Sequence, residues 1–230
     1  MEFQEFPKMA RLSRECVITE KIDGTNAQVH IVDLTGTVST DESRSWLDVF
    51  ALAVRGDVVL LAGSRSKYLS VGRDGKKDGD NFGFAKWAQT HADELFTLGP
   101  GRHFGEWWGS GIQRGYGLTN GEKRFSLFNT VRFCEHNAEP LAIKTSPDPR
   151  VEPKMQERLP ACVSLVPVLW RGVFHSDRVN DALQVLSAFG SKASPGFMDP
   201  EGVVVFHMAG GVGFKKTLEK DDEPKSKAAA

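Results

Sequence analysis

Apolar residues alternate with polar ones along 15–21 (ECVITEK), 26–33 (NAQVHIVD) and 57–65 (DVVLLAGSR), and again at about 102–108, 124–133, 163–169, 201–207 and 212–217. A period of two places one set of side chains on a buried sheet face, so each stretch predicts a strand. Asp23-Gly24-Thr25, between the first two, reads as a hairpin-type turn. Helical spacing appears twice. Phe84, Ala88, Ala92 and Leu95 fall on one face of one helix, and Val179, Ala182, Leu183, Leu186 and Phe189 on one face of another, with Ser176 or Asp177 as its N-cap. A third helix is expected near 44–54 (RSWLDVFALAV).

The Gly- and charge-rich stretch 70–83 and the proline-rich 145–153 predict loops, the first of them mobile, and 219–230 reads as a polar tail. Strands outnumber helices and do not alternate with them regularly. That pattern predicts an α+β fold with antiparallel sheets rather than a doubly wound one.

Composition narrows the class. The chain has 230 residues, 40% of them hydrophobic and 26% charged, as in an ordinary soluble globular protein. No apolar run is long enough to span a membrane and the first residues lack a signal-peptide core, so a cytoplasmic protein without membrane contact is expected. Cys16, Cys134 and Cys162 are scattered and odd in number; they read as small buried hydrophobes. No metal-type histidine spacing is present, so no histidine is given a role. A net charge of −1 means that phosphate recognition has to come from a local cluster, not from the surface as a whole.

The unusual chemistry lies at Glu20-Lys21-Ile22-Asp23-Gly24-Thr25-Asn26. A lysine closing an apolar strand is ordinarily an edge charge ending in water. Followed by a glycine turn, it can instead be a nucleophile held at a fixed point, because glycine lets a bulky group approach the backbone.

EKIDGTN resembles the first motif of the covalent nucleotidyltransferases, which comprise DNA ligases, RNA ligases and capping enzymes, and its EKxxGTN form is most similar to the RNA ligase 2 branch. Further motifs follow in the family's order: Arg65 in GSRS, Glu106 in FGEWWGSGIQ, the aromatic strand KRFSLF, Glu201 in EGVV, and Lys215 in FKKT. The resemblance implies a nucleotidyltransferase (ATP-grasp-like ligase adenylation) domain over 1–218, with antiparallel sheets flanked by helices. It further implies an ATP-dependent polynucleotide ligase that carries covalent AMP on Lys21 and works with Mg²⁺ or Mn²⁺.

By the same resemblance Arg65 and Glu106 hold the ribose, hydroxyls suiting an arginine donor and a carboxylate acceptor. Read without the motif, Glu106 is an ion-pair partner for Arg65 or Arg102. Phe125 and Phe128 would take opposite faces of their strand, one in the core and Phe128 under the adenine. Glu201 is expected at the metal or its water shell, with Asp23 a second metal candidate. Lys215, with Lys216 beside it, would neutralise the α-phosphate. Asn26 would orient phosphate or water, and Glu20 would help to position the adenine. Arg73, Lys76, Lys77, Arg114, Lys123 and Arg124 are candidate contacts to polynucleotide phosphates. Of Trp107 and Trp108, one is expected in the core and the other near the pocket.

The chain departs from the family pattern in places. The fifth motif commonly reads KxK, and here it is Lys215-Lys216-Thr217; Phe206 and His207 stand where the branch has a basic residue; Asp23 replaces the branch's histidine, as in DNA ligases. Nick-sealing relatives also carry a further C-terminal domain. A minimal ligase, a catalytic domain, or a chain that relies on a partner for end binding are the three expectations that follow. RNA ends are the first-choice substrate and DNA ends the rival, with a capping guanylyltransferase or a non-sealing nucleotide- or end-binding protein on the same fold as further alternatives.

Overall fold

The first two predicted strands form where the alternation places them, β1 at Glu15–Lys21 and β2 at Thr25–Asp33. The structure, a computed structural model, describes residues 3–219 and 221 apart from 5, 7, 8, 37–40, 73–78 and 146–149. After β2 come α1 (Asp41–Phe50), β3 (Ala53–Arg55), β4 (Val58–Gly63), β5 (Tyr68–Leu69), α2 (Phe84–Thr90) and α3 (Ala92–Leu95). Next are β6 (Gly101–Gly109), β7 (Lys123–Leu127), β8 (Phe133–Cys134), β9 (Ala142–Ile143), β10 (Lys154–Met155) and β11 (Glu157–Arg158). The last elements are β12 (Ser164–Leu165), β13 (Val168–Val173), α4 (Ser176–Phe189), β14 (Gly202–His207) and β15 (Val212–Thr217). This is an α+β fold dominated by antiparallel pairing, with short parallel ladders among the described residues only at β12–β7 and β11–β8. No helix among the described residues is long and apolar enough to cross a membrane.

The chain divides into two compact units, Met1–Asp23 with Pro167–Ala230, and Gly24–Val166. The first unit is a four-stranded antiparallel sheet in the order β13-β1-β14-β15, with α4 packed on one face. Cys16, Ile18, Val203 and Val205 on the sheet and Val179, Ala182, Leu183 and Leu186 on the helix form its core. The second unit is built on a sheet in the order β12-β7-β6-β2-β4-β3, with β5 paired to β4. One face of that sheet carries Ala27, Val29, Ile31, Leu60, Trp107, Phe125 and Leu127, packed with Phe84, Ala88, Ala92 and Leu95 from α2 and α3.

Several expectations change in detail. Asp23-Gly24-Thr25 is not a hairpin turn, because β1 pairs with β13 and β14 whereas β2 pairs with β4 and β6. Gly24 is required by packing instead: a methyl group there would lie 2.5 Å from the Trp107 carbonyl oxygen and 2.8 Å from Trp108 Cβ. The run 163–169 is two strands in two sheets, β12 and β13, separated at Val166-Pro167, where proline has no N–H to continue a ladder. The helix expected over 84–95 breaks at His91, yet all four predicted face residues are buried. The helix near 44–54 gives way to β3, whose hairpin to β4 turns at Gly56 (φ 59°). The N-cap of α4 is His175, whose Nδ1 accepts from the Asp177 N–H, and Phe189 at the helix end is 76% exposed rather than packed. The strand over 124–133 ends at Leu127.

Two histidines tie the second sheet to pH. His103 is buried on β6 with its Nε2 2.9 Å from the Gly99 carbonyl oxygen. Burial, with Arg132 adding, holds its pKa below the ordinary 6.5, although the Gly99 contact pulls the other way. Burial also lowers His30, helped by Arg102 and His103. With folded-state values below the unfolded one, the unfolded chain binds more protons in this window, so stability falls as pH drops through 6.5. The urea midpoint is expected to hold steady above neutral pH and to decline below 6.5, and His103→Gln should flatten that decline.

Candidate active site

Strand register determines what surrounds Lys21. It is the last residue of β1, opposite Gly202 at the start of β14. Its Nζ donates to a carboxylate oxygen of Glu201, with the lysine side chain 20% exposed and the glutamate 5%. Gly202 has φ 150°, which residues with a Cβ rarely adopt, and an added Cβ would lie 2.7 Å from Thr217 Cα. At that irregular point the chain turns the Glu201 carboxylate toward Lys21.

Register also separates the two lysines of β15. Thr19, Val204 and Lys215 lie directly opposite one another, as do Lys21, Gly202 and Thr217. Opposite residues, and residues two apart, share a sheet face. Lys215 therefore projects on the face of Lys21, whereas Lys216 lies with Glu20 and Val203 on the face that carries α4. The second position of a KxK pattern is taken by Thr217, whose N–H donates to Asp221 Oδ1 at 2.9 Å.

Glu20 is buried and its carboxylate is engaged on the turn after α4. Oε1 accepts from the Ser191 hydroxyl at 2.5 Å, and Oε2 from the N–H groups of Lys192 at 2.8 Å and Ala193 at 3.0 Å. Asp23, half-buried, closes this unit.

In the second unit Glu106 on β6 faces Asn26 on β2. Its Oε1 accepts from the Gly24 N–H at 3.1 Å and its Oε2 from Asn26 Nδ2 at 3.3 Å. Arg102 donates instead to the Tyr68 hydroxyl at 3.4 Å. Arg65 is exposed in the tight turn joining β4 to β5, where the Ser64 N–H donates to the Lys67 carbonyl at 2.8 Å. Phe125 is buried in the core, while Phe128, just past β7, is 43% exposed. Its N–H donates to the Phe104 carbonyl at 3.0 Å, and Phe104 is itself 52% exposed. The sheet face opposite the apolar core thus bears Asn26, Gln28, Phe104, Glu106 and Phe128, a polar floor with two uncovered rings.

Both tryptophans are buried. Trp107 joins the core, and Trp108 lies on the polar side with Nε1 donating to Ser126 Oγ at 2.9 Å. Gln28 and Phe104 were not singled out from sequence; strict alternation from Asn26 and Glu106 is the signal that would have found them. Arg124 is paired with Glu122 and lies over the Trp108 ring, and Lys123 lines two surface cavities of about 360 and 310 Å³. Arg73, Lys76 and Lys77 lie outside the described residues. The cysteines offer no competing nucleophile. Burial raises Cys16 and, with Glu94 beside it, pushes the Cys162 thiol up to about 12.

Among the described residues no three His, Cys, Asp or Glu side chains group as a protein-only metal site. One buried carboxylate beside a lysine does suit Mg²⁺ or Mn²⁺ held through water, since Mg²⁺ takes one or two carboxylates and keeps most of its hydration.

Comparison with curated proteins gave no match. Among solved structures the chain is similar to variants of the Naegleria gruberi RNA ligase. One with ATP and Mn is 16% identical (TM-score 0.46, 90% of this chain, 50% of that one), and one with AMP and Mn is 16% identical (TM-score 0.44, 90% and 50%). A third, with ATP and Mn, is 17% identical (TM-score 0.43, 89% and 50%). The chain spans about half the length of these structures. A family model described as RNA ligase matches residues 14–217, and over that length the chain belongs to the RNA ligase family.

Proposed function

We propose that the protein is an ATP-dependent RNA ligase that self-adenylylates on Lys21, its residues 1–218 acting as one adenylation domain. The observation that carries this reading is the contact of Lys21 Nζ with the Glu201 carboxylate, made by strands that end inside the EKIDGTN and EGVV motifs. A buried acid against a partly buried amine at two strand ends is not a solvated edge charge.

Lys21 Nζ attacks the α-phosphorus of ATP, forming an N–P bond as the bond to the pyrophosphate oxygen breaks. Glu201, in contact with Nζ, is placed to receive or steer the amine's proton. Lys215, on the same sheet face, meets negative charge as it builds on the α-phosphate. When bound, Mg²⁺ or Mn²⁺ near Glu201, with Asp23 two residues beyond Lys21 as a second candidate ligand, would supply charge neutralisation on the phosphates. Arg65 and Glu106 hold the ribose, Asn26 orients Glu106 toward it, and Phe128 supplies a stacking face for the adenine. Glu20, bound to the turn after α4, acts by holding the end of β1 in place. In the later steps an RNA 5′-phosphate oxygen displaces Lys21 from the α-phosphorus, and a 3′-hydroxyl then displaces AMP to form the phosphodiester. End binding through a further domain or partner protein remains part of this proposal.

Incubation with α-labelled ATP or GTP and Mg²⁺ tests the reading. Label from ATP that survives a denaturing gel and vanishes in Lys21→Ala is expected. Absence of label from both nucleotides would overturn it, and label from GTP alone would indicate a capping-type enzyme. Nicks with and without a 2′-hydroxyl on the 3′ side then separate RNA from DNA sealing.

The two lysines of β15 give an independent check. In single-turnover labelling Lys215→Ala should slow adenylylation by about a hundredfold or more, the usual loss for one transition-state donor, while Lys216→Ala stays within about threefold. Equal losses would show that sheet register does not select the phosphate cation.

A further inference from the structure

One buried polar atom stands out among the described residues: Gln28 Oε1 is the only buried side-chain nitrogen or oxygen without a hydrogen-bond partner. Within the protein such an acceptor has no hydrogen bond to offset its burial. The other end of the same carboxamide is committed. Gln28 Nε2 donates to the Ser64 carbonyl at 3.0 Å, and this contact sets which way the amide points.

The amide also has a seat. Gln28 lies directly opposite Gly63 across β2 and β4. A methyl group at Gly63 would come within 2.8 Å of Gln28 Cγ and 3.0 Å of its Nε2, so the glycine leaves the volume that the amide fills. The carbonyl it grips belongs to the peptide between Ser64 and Arg65, at the entrance to the tight turn closed by the Ser64 N–H on Lys67 O.

We propose that Gln28 is a positioning residue for nucleotide binding: seated over Gly63, it orients the Ser64–Arg65 peptide and thereby aims the Arg65 guanidinium. The inference rests on the reading of Arg65 as a ribose contact. A methionine of similar volume would fill the seat and remove the stranded Oε1, but it would leave the Ser64 carbonyl without its donor. What glutamine adds over an apolar residue here is the grip on the turn. Gln28 trades stability for a fixed turn.

The test follows the ATP-concentration dependence of Lys21 adenylylation together with thermal unfolding. Gln28→Met is expected to leave Tm unchanged or raise it, while the KM for ATP rises about fivefold, the worth of one hydrogen bond, with little change in maximal rate. Gly63→Ala should raise KM to a similar extent by displacing the amide, and Gln28→Met added to it should raise KM no further. In an Arg65→Ala background Gln28→Met should add nothing. A lowered Tm with unchanged KM, or effects that multiply in the Arg65→Ala background, would overturn the proposal. Should Arg65→Ala by itself leave KM unaltered, the ribose role of Arg65 fails and the positioning role with it, while labelling of Lys21 in the same assay shows that self-adenylylation stands.

Discussion

Backbone hydrogen bonds between β1 and β14 bring together two residues 180 positions apart in the chain, a lysine at one strand end and a glutamate at the next. The candidate chemistry depends on that ladder more than on any single side chain. A slip of one residue would carry Lys21 to the opposite face of the sheet and place Glu20 where Lys21 stands. Several features hold the register. The core residues Cys16, Ile18, Val203 and Val205 must all face α4, and the Glu20 carboxylate must reach the turn at Ser191–Ala193. The Glu20 carboxylate, expected from the motif to help position the adenine, is engaged on that turn and so ties the end of β1 to it.

The second unit manages a different conflict. Its sheet has one apolar face, satisfied by α2 and α3, and one face whose polar groups are largely satisfied by each other. Glu106 is tied to Gly24 and Asn26, Trp108 to Ser126, and Ser126 to Ser164 at 2.7 Å. Mutual satisfaction keeps these groups rigid and pre-positioned, and among the buried side-chain polar atoms of the described residues Gln28 Oε1 alone is left unpaired. Phe104 and Phe128 stay uncovered on this face, although a protein ordinarily buries large rings.

Much of this was legible in the residues themselves. Period-two alternation located β1, β2, β4, β6, β14 and β15 within a residue or two and put Phe125 and Phe128 on opposite faces, because pleating is a local property; which ring stays uncovered was implied only by the family resemblance. What alternation does not carry is the identity of the neighbouring strand. Asp23-Gly24-Thr25 has hairpin composition, yet the strands on either side enter different sheets, a choice made by distant partners. Likewise Val163–Leu169 reads as one apolar run, and only Pro167 hints that the ladder stops. The N-cap went to His175 rather than Ser176 because an imidazole nitrogen can accept an N–H as a hydroxyl does. The motif residues were found from their strings, but the engagement of Glu20, the division between Lys215 and Lys216 and the grip of Gln28 required register.

The order in which the two units can be completed follows from their composition. Gly24–Val166 is one uninterrupted stretch and contains all the partners of its own sheet, whereas β1 is central in a sheet whose other strands begin at Val168. During synthesis, Lys21 is among the earliest functional residues to leave the ribosome and among the last to acquire a neighbour. Long-range strand pairing of this kind is slow because the intervening loop must first be closed. An incomplete chain thus carries β1 without its sheet partners, and Lys21 meets Glu201 only once β14 has paired with it.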